Sequence, residues 1–354
     1  MTTLAGTPTP LDPTMIRGTV ETRLHTFLDH QEEIAQQTPE LKLFTGILRK
    51  QLSAGGKRIR PLLCVTGWHA VRDDPPTDAV WRTAASLELF HAFALIHDDI
   101  MDASDTRRGQ PTAHRTLAAL HPERPSTVGT NAAMLLGDLA LGWSYELLHA
   151  PGLTDTDLRA LWATFNALRT ETLVGQYLDL IGRPGTDPSI AWRIIRYKTA
   201  KYTIERPLQL GARLAGASPP QLSALTGYAL PLGEAFQLRD DLLGVFGDSA
   251  RTGKPTLDDL REGKHTVLTA AALRLAHPAQ QRLLARCLGD PDLTEDDAQS
   301  VRNILVSTGA TDEIEHLIHT RRTRALGALT TAPLLPTAVA LLRTLAQNVT
   351  DRAA

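Results

Sequence analysis

The stretch from Leu87 to Gly109 constrains the fold more than any other part of the chain, because an apolar run there ends in closely spaced carboxylates. The run predicts a helix anchored in a core, with Asp98 and Asp102 about one turn apart on the same face. Two like charges this close are tolerated when a cation lies between them, and hard oxygen ligands without a nearby Cys suit Mg²⁺. The alternative, a solvated acidic helix end, loses weight because the helix is apolar.

Basic residues follow this helix and also occupy a glycine turn earlier in the chain. Arg107 and Arg108 carry planar donor groups that suit phosphate oxygens. Between Ser53 and Pro61 two glycines break a helix, and Lys57, Arg58 and Arg60 follow where backbone N–H groups are exposed at the start of the next helix. Carboxylates, a metal and cations together predict a diphosphate site; the alternative is an ordinary basic turn.

Composition argues against several classes of protein. The chain has 354 residues, enough to bury a large core, and its formal net charge of −2 argues against a nucleic-acid partner. The two cysteines, Cys64 and Cys287, are far apart and lack metal-ligand spacing, so a cytoplasmic location is expected. The uncharged stretch from Ala325 to Leu342 predicts two short buried helices around a turn, not a transmembrane segment, because glycine, proline and threonine interrupt it.

Helical periodicity recurs along most of the chain, and no alternating strand pattern is sustained, which predicts an all-α fold. Residues 1–14, rich in Thr and Pro, predict a disordered tail, and residues 15–354 a single domain. Helices are predicted at Ile16–Thr38, Leu41–Leu52, Pro61–Val71, from Ala79 onward, and at Ala132–Leu148, Thr154–Leu180 and Pro188–Leu214. Asp240 and Asp241 end a second apolar run, and two such helix ends facing each other would hold several Mg²⁺ ions.

Five separated motifs resemble those of the trans-isoprenyl diphosphate synthases of the polyprenyl synthetase family. In chain order they are GGKRIRP, FHAFALIHDDIMD, RRGQPTAH, YKTAKYT and FQLRDD, the last followed by GK and EGKHT. The resemblance implies a single bundle of mainly antiparallel helices around a deep central cavity, usually as a homodimer. It also implies an Mg²⁺-dependent prenyltransferase that condenses isopentenyl diphosphate with an allylic diphosphate primer, with three Mg²⁺ ions per site when substrate is bound.

The same resemblance implies a role for each matching residue. Asp98 and Asp102 resemble the first aspartate-rich motif, and Asp240 with Asp241 the second, both of which bind Mg²⁺. The residues that resemble the pocket for isopentenyl diphosphate, and that carry or can carry positive charge, are Lys57, Arg60, His91 and Arg108. Those that resemble the contacts to the allylic diphosphate are Arg107, Lys198, Thr199, Gln237, Lys254 and Lys264. The candidate catalytic residues are Asp98, Asp102, Arg107, Lys198, Asp240 and Lys254.

Two positions depart from the family's pattern. Gly244 stands where the second aspartate motif normally ends in Asp, and Asp248, one turn further, is a candidate substitute. Leu257 stands where the family usually has Gly, which bears on the conformation of the loop between the two GK motifs.

Two residues upstream of Asp98 bear on product length. An aromatic residue five positions before Asp98, here Phe93, with a small residue four positions before it, here Ala94, resembles one class of twenty-carbon synthase. Geranylgeranyl diphosphate is therefore the expected product; farnesyl diphosphate or another chain length is the alternative. On a helical wheel Ala94 lies about 40° from Asp98 and Phe93 about 140° away. Phe93 thus either forms a side wall or packs in the core.

Three other functions account for fewer of these residues. A terpene cyclase shares the fold and the first aspartate motif, but it has no use for a second diphosphate pocket. A non-catalytic partner subunit typically lacks an aspartate motif, and here the first one is complete. A purely structural bundle gives no reason for so many cations near carboxylates.

Overall fold

The computed structural model describes residues 11–34, 38–149, 153–247 and 257–350, with only the backbone given for residues 349 and 350. Within these ranges the regular secondary structure is helical apart from one small antiparallel hairpin, formed by β1 (Thr106–Arg107) and β2 (Gln110–Pro111). The predicted all-α class is confirmed. None of the helices in the described part combines the length and the apolar character that crossing a membrane requires.

The helices follow one another in a bundle. The first part comprises α1 (Pro13–Ile34), α2 (Pro39–Ser53), α3 (Ile59–His69), α4 (Asp78–Met101), α5 (Ala113–Ala119), α6 (Pro125–His149) and α7 (Asp155–Ile181). A continuous rod then comprises α8 (Ser189–Ile194), a π-helix (Ile195–Glu205) and α9 (Arg206–Leu214). The last part comprises α10 (Pro219–Phe246), α11 (Asp258–Arg261), α12 (Val267–Leu275), α13 (Pro278–Cys287), α14 (Glu295–Ser307), α15 (Ala310–Ala328) and α16 (Pro336–Thr350).

Helix α4 is the central element of the largest core cluster. Leu87, Phe90 and Ile96 are fully buried, and the helix packs against α1, α3 and α6. A helix that is apolar on nearly all sides must be surrounded by protein, and each such side chain contributes about 1.5–3 kcal/mol of burial free energy. The carboxylates at the end of α4 are therefore held by a rigid support, as predicted.

Helices α3 and α9 cross with their backbones almost in contact. A Cβ atom at Gly211 would overlap the carbonyl oxygen of Cys64, and one at Gly67 would overlap that of Leu208. Since only glycine leaves room for this approach, the crossing ties the basic turn that precedes α3 to the π-helix that precedes α9.

The structure differs from the sequence predictions at several element boundaries. Helix α1 begins at Pro13, so the predicted tail is two residues too long at its C-terminal side, and residues 1–10 lie outside the described ranges. The connection after Arg108, predicted to be rich in turns, contains the short helix α5. Burial of Ala113 and Leu117 stabilises this helix. The helix predicted at Pro188–Leu214 is continuous but π-helical in its middle. The predicted turn within Ala325–Leu342 separates α15 from α16, although both helices are longer than expected.

Candidate active site

The C-terminal ends of α4 and α10 border one cavity of about 260 Å³. The two acidic helix ends thus meet as predicted. Its main lining residues are His91, Ala94, Leu95 and Asp98 of α4, Thr172, Gln176 and Asp179 of α7, Lys198, Thr199, Tyr202 and Thr203 of the π-helix, Phe236, Gln237, Asp240 and Asp241 of α10, and Lys264.

Asp98 is held by three side chains at the edge of the cavity. Its Oδ1 accepts hydrogen bonds from Lys198 Nζ and Gln176 Nε2, both at 3.0 Å, and Arg107 Nη2 lies 3.5 Å from its Oδ2. Burial would raise the pKa of Asp98, but the charges of Lys198 and Arg107 hold it at about 2. Asp179 also binds Lys198 Nζ, at 2.6 Å, and these carboxylates raise the pKa of Lys198 despite its burial.

Asp99, the middle aspartate of the first motif, binds an arginine. Asp99 is buried and accepts a hydrogen bond from Arg107 Nε at 2.6 Å. Asp99 therefore fixes the direction of the Arg107 side chain.

Two other carboxylates hold protons more tightly than usual. Burial raises the pKa of Asp102 to about 7, with the charge of Asp98 adding to the effect. Burial raises the pKa of Asp241 to about 8 against the hydrogen bond from Gln237 Nε2. In both groups burial is the larger cause, and a neighbouring carboxylate adds a smaller part. Several carboxylate oxygens close together, without thiolates, fit a hard divalent cation such as Mg²⁺.

Cations from the basic turn meet the π-helix at the other part of the cavity. Arg60 Nη2 donates to Thr203 Oγ1 at 2.8 Å, and its guanidinium lies 4.0 Å from the centre of the Tyr202 ring. His91 Nδ1 and the Tyr202 hydroxyl are 2.9 Å apart in a hydrogen bond. Burial, followed by the charge of Arg60, lowers the pKa of His91 well below its ordinary value. Of the predicted pocket residues that carry or can carry positive charge, His91 is thus the one whose low pKa favours the neutral form, which binds through its hydrogen bond.

The other two cations of the basic turn, Lys57 and Arg58, have different surroundings from those of Arg60. Arg58 is buried and donates from Nη1 to Glu88 Oε2 at 2.6 Å, so it points away from the cavity and not into the predicted anion cradle. Lys57 is exposed on the turn. Arg108 donates to the carbonyl oxygen of Gly55, which ties the hairpin to the basic turn.

Polar groups also link the π-helix to α10. Thr199 Oγ1 donates to Gln237 Oε1 at 2.6 Å, and Gln237 in turn donates to Asp241. Lys264 Nζ lies 2.8 Å from carboxylate oxygens of Asp259 and Glu262, which hold its pKa well above its usual value.

The sequence from residue 41 to residue 305 matches the model of the polyprenyl synthetase family. The chain belongs to this family.

Relatives agree with that assignment over most of their length. A short chain isoprenyl diphosphate synthase of Methanothermobacter thermautotrophicus is 33% identical over 74% of this chain and 76% of its own. A geranylfarnesyl diphosphate synthase of Aeropyrum pernix is 32% identical over 75% of this chain and 80% of its own. A geranylgeranyl pyrophosphate synthase of Corynebacterium glutamicum, solved with isoprenyl diphosphate and magnesium, has a TM-score of 0.91 and 39% identity, covering 97% of this chain and 100% of that one.

The resemblance predicted from the five motifs is thus confirmed. The polypeptide is a trans-isoprenyl diphosphate synthase, an enzyme that elongates prenyl chains, and its fold is the all-α bundle of that family. The names of its relatives differ in product chain length.

The two departures from the synthase pattern have structural counterparts. A Cβ atom at Gly244 would overlap the carboxylate of Asp259, so Asp259 brings a carboxylate to the space beside that position. Leu257 packs against the core cluster formed by α10 and the helices that follow it. Asp248, the predicted substitute for Gly244, and Lys254, a predicted catalytic and substrate-binding residue, lie outside the described residues.

Several residues of this synthase site escaped prediction from the motifs. Tyr202 and Thr203 follow the predicted Lys198 and Thr199 in the same motif, but their role depends on contacts with Arg60 and His91, far away in sequence. The others are Gln176 and Asp179, which bind Asp98 and Lys198, together with Leu95 and Asp259. Gln176 and Asp179 lie one turn apart on α7, and that spacing is the only sign of them in the sequence.

Addition of Mg²⁺ at roughly millimolar concentration is predicted to raise the thermal midpoint by about 3–4 °C at pH 8, and by less at pH 5.5. In the unfolded chain Asp102 and Asp241 have the ordinary pKa of 3.8, whereas in the folded protein their pKa values are about 7 and about 8. Their bound protons therefore add to the free energy of unfolding at low pH, and this contribution is lost as the pH rises from 3.8 through these folded values. A cation that replaces those protons restores stability where they are absent. Differential scanning calorimetry measures the midpoints.

The matched variants for this test are Asp102→Asn and Asp138→Asn. Asp102→Asn removes a carboxylate of the first aspartate motif and should abolish most of the gain at pH 8, whereas Asp138 is exposed on α6 and its replacement should leave the gain unchanged. Equal gains at both pH values, or an unchanged gain in Asp102→Asn, would contradict the metal site.

Proposed function

We propose that this synthase condenses isopentenyl diphosphate with an allylic diphosphate primer in an Mg²⁺-dependent reaction, with geranylgeranyl diphosphate as its main product. The observation that carries the proposal is that two separate groups of anion-binding side chains border one cavity. One surrounds Asp98 and contains Lys198 and Arg107; the other contains Arg60 and His91. A cytoplasmic location and three Mg²⁺ ions per site belong to the same proposal.

The first group suits the leaving allylic diphosphate. The reaction breaks the bond between the allylic carbon and a diphosphate oxygen, and negative charge develops on that oxygen. Mg²⁺ held by Asp98, Asp102, Asp240 and Asp241 would supply Lewis-acid stabilisation of this charge. Arg107, Lys198 and Lys264 are fixed cations near the same carboxylates and would bind the remaining phosphate oxygens.

The walls of the cavity suit a carbocation. Ala94, Leu95, Ile195 and Phe236 contribute apolar surface, which excludes water from a reactive cation. The Thr199–Gln237 pair adds oriented dipoles beside that surface. A carbon–carbon bond then forms to the double bond of the second substrate, and the proton lost from that substrate is assigned to the released diphosphate.

The second group suits isopentenyl diphosphate, and we name it the isopentenyl pocket: Lys57, Arg60, His91 and Arg108. Lys57, Arg60 and Arg108 supply positive charge, and neutral His91 supplies a hydrogen bond. A terpene cyclase would need only the first group. The direct contacts of Arg60 and His91 with the π-helix, which also carries Lys198, favour two substrates that react with each other.

Arg60→Ala is predicted to raise the KM for isopentenyl diphosphate by about 10- to 100-fold, because one charge-assisted contact is worth about 1.5–3 kcal/mol. The KM for the primer should change little, since Arg60 bonds to Thr203 and contacts Tyr202 and does not bond to Asp98. Steady-state assays with purified protein, Mg²⁺ and each substrate in turn measure both values. Arg286→Ala on exposed α13 is the control, and equal effects on both substrates would argue for a general folding role.

The position of Ala94 supports the twenty-carbon product. Ala94 lines the cavity four residues before Asp98, so its small side chain leaves room for a growing chain. Phe93 packs instead in the core, with its ring centroid 5.3 Å from that of Phe90 and 4.8 Å from that of His97. These contacts favour core packing over a side-wall role for Phe93.

Ala94→Phe is predicted to shorten the product to fifteen carbons or fewer, because it places a ring in the cavity beneath Asp98. Chromatography of dephosphorylated products measures chain length. Phe93→Leu is the neighbouring control: it should lower the thermal midpoint and leave the product unchanged. Undiminished twenty-carbon product from Ala94→Phe would show that another residue ends chain growth.

Exposed apolar side chains on two helices support a homodimer. They are Leu173, Val174, Tyr177, Leu180 and Ile181 on α7 and Met134 and Leu135 on α6, all at least 41% exposed. The α7 residues repeat every three or four positions, which is the pattern of a helix that packs against another helix. Exposed apolar side chains in this pattern mark a site of association, and we propose a second copy of the chain as its occupant.

Light scattering after size exclusion is predicted to give a mass near twice the 38.5 kDa of one chain. The double variant Leu173→Glu/Tyr177→Glu should shift the mass to that of the monomer, because it buries two like charges without partners. Val306→Arg alters an equally exposed apolar residue on α14 and should keep the dimer. A monomeric wild-type protein would refute this part of the proposal.

A further inference from the structure

The isopentenyl pocket rests on two side chains of the π-helix. Thr203 accepts the hydrogen bond from Arg60, and Tyr202 contacts both Arg60 and His91. Any rotation of the π-helix would therefore move the groups that orient the pocket's arginine and histidine.

The π-helix is unusually long, spanning Ile195–Glu205. Helices with this wide hydrogen-bonding pattern rarely exceed a single turn, and they are less favourable than the α-helix into which they could rewind. The register of this segment therefore depends on support from its neighbours.

Its N-terminal half has several supports. Lys198 is held by Asp98 and Asp179, and Thr199 is bonded to Gln237. Arg196 adds a contact with Glu234 of α10 at 3.1 Å.

The C-terminal half is bonded to α10 through Thr226, which donates to Glu205 at 2.9 Å, and to α7 through the carboxylate of Glu171. Its Oε1 lies 2.5 Å from Lys201 Nζ, and Arg206 donates to both of its oxygens at 2.7 and 2.8 Å. All three side chains are less than 20% exposed, so solvent screens these pairs less than surface pairs. Lys201 and Arg206 flank Tyr202 and Thr203 in the chain, and the carboxylate thus clamps the turn that carries them.

Gly175 of α7 allows the α7 backbone to approach the π-helix closely. A Cβ atom at Gly175, one turn after Glu171, would overlap the backbone nitrogen of Lys198. The α7 backbone and the π-helix are therefore in direct contact, and the glutamate reaches its two cations without a long extended side chain.

We propose that Glu171 is a positioning residue for the isopentenyl pocket. By binding Lys201 and Arg206 it fixes the register of the C-terminal half of the π-helix, which keeps Tyr202 and Thr203 against the pocket. The role rests on the proposed function, because it concerns one of the two proposed substrates.

Glu171→Gln preserves the shape of the side chain and removes its charge. It is expected to raise the KM for isopentenyl diphosphate by about tenfold, with less than about a twofold change in the KM for the allylic primer. The primer site should be spared because Lys198 and Thr199 have their own supports. Lys201→Gln, which leaves Arg206 on the carboxylate, should act in the same direction by a smaller factor and serves if Glu171→Gln does not fold.

Glu313→Gln is the matched control, because Glu313 also binds one arginine, Arg274, through both oxygens but lies on the surface far from the cavity. It should leave both KM values unchanged. A lower thermal midpoint of Glu171→Gln with both KM values unchanged, or an equal rise in both, would overturn the positioning role. Absence of turnover in the wild-type protein would instead refute the proposed function, and the role of Glu171 with it.

Discussion

The whole arrangement depends on the burial of α4. An apolar helix can carry two nearby carboxylates at its end only if the rest of it is fixed in a core, because the repulsion between them would otherwise unwind the last turn. Leu87, Phe90 and Ile96 provide that anchor. The neighbouring helices are then arranged around this end, and their cations offset part of its charge.

Some of the charged side chains near this end of α4 form buried ion pairs and do not face the cavity. Asp99 and Arg58 are buried and paired, with Arg107 and Glu88 respectively, and these pairs orient the segments on which the cavity's own groups are carried. A buried pair of this kind contributes little net stability, since desolvation offsets attraction. What it contributes here is a defined direction for Arg107 and a defined shape for the basic turn.

The sequence was sufficient for the fold class and for the residues that lie on one helical stripe, such as Asp98 and Ala94. It was insufficient where a property depends on what a side chain faces. Charge alone placed Arg58 in the anion cradle and left the charge of His91 open, whereas burial turns Arg58 inward and favours neutral His91. The π-helix has no periodic signature, and the partnership of Tyr202 with His91 joins residues more than a hundred positions apart.

The Lys198–Asp98 contact also has a thermodynamic consequence. Asp98 Oδ1 already accepts two hydrogen bonds, so a cation that binds there must compete with the ammonium group of Lys198. Under the proposed function, a diphosphate that draws Lys198 to itself would remove that competition, and by linkage a bound cation would release Lys198 for the diphosphate. Metal and anion would then be heterotropic ligands of one another, each increasing the affinity of the protein for the other by the same factor.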